Sequence, residues 1–89
     1  MELQELRKEL DTVDAELLRL FVRRMELCGE VGAYKRAHGL ATLDASREEE
    51  KLSRAAASVP EKYAGDARRF MASLMAQSRA LQDRERDGL

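Results

Sequence analysis

The chain has no tryptophan, only two tyrosines and two phenylalanines, and a single proline, Pro60. That leaves little to build a sheet from, and it leaves long stretches free to stay helical. One cysteine, Cys28, excludes an internal disulfide and fits a reducing compartment. One histidine, His38, stands without cysteine or carboxylate neighbours at metal-ligand spacing, so no metal site is expected. Neither sign of charge dominates: 16 basic against 17 acidic residues give a net −1, which argues against a dedicated nucleic-acid binder but not against a local basic pocket. No apolar run approaches the length of a bilayer, and the charged start MELQELRKEL lacks the apolar segment of a signal peptide. Phosphate loops, nucleophile elbows and zinc motifs are missing too. The expectation is one cytoplasmic domain, residues 1–89, with no membrane or nucleic-acid partner.

Ala, Leu, Glu, Arg and Lys dominate instead, which points to an all-α fold of three helices per chain. Leu3, Leu6, Leu10, Val13, Leu17, Leu20, Leu27, Val31 and Tyr34 repeat in steps of three and four and predict a first helix over about residues 2–36. At 1.5 Å per residue it is about 50 Å long, whereas a compact globule of this chain length has a radius of gyration of only about 12 Å. The stripe would be left wet, and the simplest cover is a second copy of the chain. Gly29 and Gly32 weaken this helix but let another backbone or a ligand come close. Residues 37–43 read as a loop, with Gly39 suited to a turn, and Asp44 or Ser46 can cap a second helix that ends near residue 58. Val59, Pro60 and Gly65 mark a break. A third helix follows over about residues 66–84, with Ala67, Phe70, Leu74 and Leu81 on one face and Ser78 and Gln82 on a neighbouring one. The polar tail RERDGL is expected to fray.

Where the stripe calls for an apolar residue at position 24, the chain supplies Arg24. A buried guanidinium is costly unless something anionic faces it. Arg24 therefore pairs with a carboxylate of the protein, extends to the rim, or receives an anionic ligand. Lys35, almost three whole turns later, lies on the same face about 16 Å away, so the two could grip a ligand with two negative groups. Arg7 is about 25 Å before Arg24 and could reach that ligand only from a second, antiparallel chain. Each residue also has an ordinary use. Lys35 complements the helix dipole, Asp44 caps, Glu48 sits in a first turn, Cys28 fills space, and Arg7, Ser78 and Gln82 stand on exposed or half-exposed faces.

The ordered set resembles the all-helical class of chorismate mutases over nearly the whole chain. It comprises Leu6-Arg7, Asp11-x-x-Asp14, Leu17-Leu18, Arg23-Arg24, Glu30-Val31-Gly32 leading to Lys35, Asp44-x-x-Arg47-Glu48, and Ser78-x-x-x-Gln82. The resemblance implies an intertwined helical homodimer with long first helices packed across the two-fold. It implies rearrangement of chorismate, a dicarboxylate, to prephenate in Phe and Tyr biosynthesis, without cofactor, metal or nucleophile. Catalysis then rests on holding a reactive conformer and stabilising charge on the ether oxygen. By the same resemblance Arg24 binds one carboxylate and Arg7 of the second chain the other. Lys35 bridges a carboxylate and the ether oxygen, to which Gln82 also donates. Glu48 and the backbone at Asp44 hold the ring hydroxyl, Ser78 supports a carboxylate, and Arg47 lines and braces the pocket. A register one residue earlier would put Gln77 and Leu81 in place of Ser78 and Gln82, and leucine cannot donate. Two alternatives have other activities: an isochorismate pyruvate lyase of the same fold, and a helical dimerisation module that binds no small molecule.

Overall fold

One unbroken helix of 35 residues, α1 (Leu3–Ala37), opens the computed structural model, which describes residues 1–88. It ends where Gly39 takes a left-handed φ of +66° and the Leu40 N–H donates to the Lys35 carbonyl at 2.8 Å; glycine adopts that conformation without strain. The second helix, α2 (Ala45–Ala57), is capped by Asp44 rather than Ser46, the Asp44 carboxylate accepting from the Arg47 N–H at 3.1 Å. Pro60 begins a short 3₁₀ turn, Glu61–Tyr63, which runs straight into α3 (Ala64–Arg86). Gly65, expected in the break, lies inside the first turn of α3, because the 3₁₀ turn already supplies the change of direction.

The third helix runs two residues past its expected end, through Glu85 and Arg86. Arg86 reaches Asp83 at 3.5 Å and Asp87 at 3.3 Å, and arginines in a last turn complement the helix dipole. Gly88, at φ +77°, closes the helix by donating to the Glu85 carbonyl, and Leu89 lies outside the described residues.

The described residues contain three α-helices and no strand. α3 lies between α1 and α2 and packs on both, whereas α1 and α2 do not pack on each other. The result is a slab of 54 × 28 × 14 Å, little thicker than one helix with its side chains. A compact monomer of this mass exposes about 5,300 Å², and this chain exposes 6797 Å². The exposed surface includes the whole apolar stripe from Leu3 to Tyr34, and Met75 is the one buried hydrophobic residue among those described.

The third helix buries a different face from the one expected. Phe70 is exposed, while Met75, Ser78 and Gln82 are buried. The reason is geometric, since α3 is gripped from two sides and its most enclosed line faces the angle between α1 and α2. Phe70 and Leu74 instead join Leu17, Leu18, Leu20 and Phe21 along a second, apolar groove. Gly32, the buried glycine of α1, makes the α1–α3 contact possible: a Cβ there would meet Gln82 Cγ at 2.9 Å, closer than real contacts allow.

Candidate active site

A cavity of about 390 Å³ opens in the angle between α1 and α2, over α3. That volume lies in the usual range for small-molecule sites. Each helix supplies one stripe at helical spacing. From α1 come Arg24, Cys28, Val31 and Lys35; from the cap and body of α2, Asp44, Arg47, Glu48 and Lys51; from α3, Met75, Ser78, Arg79 and Gln82. Thr42, from the loop between the first two helices, completes the wall.

The fold thus brings together Arg24, Lys35, Asp44, Arg47, Glu48, Ser78 and Gln82. It does not bring Arg7 to them within one chain: Arg7 stands exposed on the first turns of α1, about 25 Å along the axis from Arg24. Of the alternative register, Gln77 is exposed and Leu81 lines a separate groove beside Gly29 and Glu85.

Arg24 has no carboxylate within 4 Å among the described residues. It donates instead to the Leu74 carbonyl at 3.1 Å and to the Ser78 hydroxyl. Ser78 in turn donates to the Leu74 carbonyl at 2.9 Å and accepts from the Cys28 thiol at 3.2 Å. Cys28 therefore does more than fill space. These neutral partners fix the guanidinium in place and leave its charge without an acid of the described residues to pair with.

Gln82 donates through Nε2 to the Cys28 carbonyl at 2.9 Å. A carbonyl only accepts, so the nitrogen end of the amide is identified, and a second N–H is left over. Lys35 donates to the Thr42 carbonyl at 3.0 Å, which ties the end of α1 to the loop at the mouth of the cavity. One Arg79 nitrogen chelates both Glu48 oxygens at 2.6 and 2.5 Å, neutralising that carboxylate and fixing where it points. Arg47 lies 3.9 Å from Glu50, a distant and exposed pair.

Five cations consequently face two carboxylates across this cavity, and both carboxylates are engaged, Asp44 as a cap and Glu48 by Arg79. Burial, then the neighbouring Arg24 and Arg47, push the Lys51 ammonium below the ordinary lysine value. Among the described residues, no group of three or more His, Cys, Asp or Glu side chains could hold a metal, and no helix is long and apolar enough to cross a membrane. What the cavity offers is a cluster of cations, Arg24 and Lys35 among them held by hydrogen bonds, with neutral donors, suited to a small polyanion whose reaction needs charge stabilisation.

Lys51 and Arg79 did not stand out in the sequence. The signal for Lys51 was there, since it follows Asp44, Arg47 and Glu48 at i+7, i+4 and i+3 and so shares their stripe. Arg79 lies one residue after Ser78 and three before Gln82, and only the packing of α3 on α2 shows that it belongs with Glu48.

Comparison with known proteins gives a consistent picture. The family described as chorismate mutase type II matches residues 6–83. A T-protein of Haemophilus influenzae is 46% identical over 46 residues, which cover 52% of this chain and 12% of that protein. No solved structure gives a significant match.

Proposed function

Since the chain belongs to the type II chorismate mutase family, we propose that its cavity performs that family's isomerisation, chorismate to prephenate, on the route to phenylalanine and tyrosine. The observation that carries this reading is Arg24, held by neutral partners with its charge uncompensated, in a cavity it shares with Lys35 and Gln82. A dicarboxylate supplies the missing negative charge. A helical dimerisation module has no use for this arrangement.

The rearrangement breaks an ether C–O bond and forms a C–C bond within one molecule, so no side chain needs to attack or carry a proton. The chain contributes position and charge. Arg24 receives one substrate carboxylate, with Ser78 supporting that geometry. Lys35 bridges a carboxylate and the ether oxygen, where negative charge grows in the transition state. The second N–H of Gln82 donates to the same oxygen. Glu48, held by Arg79, accepts from the ring hydroxyl together with the backbone at Asp44, and Arg47 braces the wall.

A second copy of the chain covers the exposed stripe of α1 and brings its own Arg7 to the other carboxylate. The excess exposed area, the 14 Å thickness and the unpartnered run from Leu3 to Tyr34 all support this intertwined homodimer. The lone thiol of Cys28 is compatible with a reducing compartment and supports a cytoplasmic location.

Replacing Gln82 tests the role of the amide. In Gln82→Glu the new carboxyl is buried and has one O–H, present only when it is protonated, which must go to the ether oxygen and not to the Cys28 carbonyl for turnover to continue. Turnover should survive at acidic pH and fall about tenfold per pH unit above the new carboxyl's pKa, while the parent stays flat over the same range. A variant whose profile parallels the parent's contradicts the donor role of Gln82.

A further inference from the structure

Lys51 stands out among the cations of the cavity. Its helical neighbours at contact spacing are Arg47, Glu48, Arg54 and Ala55. The only acid among them, Glu48, is already chelated by Arg79 from α3. Among the described residues Lys51 has no ion pair and no hydrogen bond, yet it is only partly exposed and lines the cavity opposite Arg24. An ordinary surface lysine is solvated or paired with an acid one turn away. This one is flanked by like charges on its own helix.

We propose that Lys51 is a further substrate-binding residue of this site, its ammonium supplying charge to the substrate carboxylate that Arg24 receives. The proposal rests on the chorismate mutase reading and adds a residue to it. Arg24, Cys28 and Lys35 face the same cavity from α1, and Arg79 faces it from α3. On its own helix and cap, Lys51 has Asp44, Arg47, Glu48 and Arg54. Asp44 caps α2, Glu48 is held by Arg79 and Glu50 lies with Arg54 and Arg47, so none of these acids pairs with the ammonium until an anion enters. The lowered pKa has the same origin: burial first, then Arg24 and Arg47.

A substrate anchor and a structural lysine give opposite signatures. The fold disfavours the Lys51 charge, so the unfolded chain binds more protons between the lowered folded value and the ordinary unfolded one. The Lys51 contribution to stability is therefore unfavourable below that window and is relieved as pH rises through it. Removing the charge should help the empty protein and harm substrate binding.

The test compares the parent with Lys51→Gln and Lys51→Arg, each as the full chain, by chorismate turnover and by thermal melting without ligand. Lys51→Gln should raise KM about tenfold, the scale of one lost charge-assisted contact, with kcat within about twofold. Its Tm without ligand should be at or above the parent's. In the parent, kcat/KM should fall as pH rises through the lowered Lys51 value. Lys51→Arg should move that limb to higher pH, because a guanidinium stays charged. An active parent with KM unchanged in Lys51→Gln, or an alkaline limb unmoved in Lys51→Arg, overturns the role of Lys51 alone. A folded parent that leaves chorismate unchanged overturns the reading beneath it.

Discussion

Lys35→Ala should lower kcat/KM for chorismate about 10³-fold while the protein stays folded. A fixed donor aimed at developing charge contributes about 10²–10³ to kcat, and in the proposed mechanism Lys35 serves such an oxygen as well as holding a carboxylate. Its structural share is small: it makes one hydrogen bond, to the Thr42 carbonyl at 3.0 Å, and the Tyr34–His38 stack and Gly39 shape the end of α1 without it. Losing that bond costs about 1 kcal/mol and alanine returns some helix propensity, so the melting temperature should shift by only a few degrees. Helical content by circular dichroism, melting temperature and turnover, measured on one preparation, separate the two effects. Parent-like turnover by the folded variant removes Lys35 from the mechanism.

The second large effect concerns Arg7. If each cavity takes Arg24 from one chain and Arg7 from the other, then Arg7→Ala and Arg24→Ala are each nearly inactive alone, every site lacking one carboxylate anchor. A mixed dimer has one site that lacks both arginines and one that lacks neither. Equal amounts of the two variants, unfolded and refolded together, should form mixed dimers in half of the population and recover about a quarter of the parent's activity. No other arrangement of these residues turns two dead variants into an active mixture. Failure to recover activity, with the parent refolding actively under the same protocol, places Arg7 outside the site. The same samples report the size of the particle, which should be two chains, because a slab 14 Å thick with an apolar face has nothing among the described residues to cover it.

The helices were legible in the sequence because their signals are local. Asp44 three residues before Arg47, Gly39 after the stripe, and Pro60 before the third run each act within a few residues, and they set the ends of α1 and α2 to within one residue. Arg24 and Lys35 were legible as one face of α1 for a related reason, whereas Asp44, Arg47, Glu48, Ser78 and Gln82 were named through the family resemblance and Lys51 was not singled out. Residues 24, 28, 31 and 35, or 44, 47, 48 and 51, share a face whatever that face meets. What such a face meets is a tertiary fact. The apolar pattern of the third helix selected Ala67, Phe70, Leu74 and Leu81, yet the helix is enclosed along Met75, Ser78 and Gln82, since two helices flank it instead of one. Arg79 and Glu48 are 31 residues apart, and no local rule joins them. The start of α3 was missed by two residues because a 3₁₀ turn, which has no strong sequence signature, took over the role assigned to Gly65.

The proposed role of the uncompensated cations of this cavity is to hold chorismate and carry it to prephenate. Its most direct test is to incubate the purified protein with chorismate, follow the loss of chorismate absorbance and identify the product by NMR, with pyruvate assayed in the same mixture. Chorismate should be consumed, with prephenate as the product and no pyruvate released. Chorismate left intact by a folded protein contradicts it, and pyruvate released from isochorismate by that same protein would assign the cavity to a lyase.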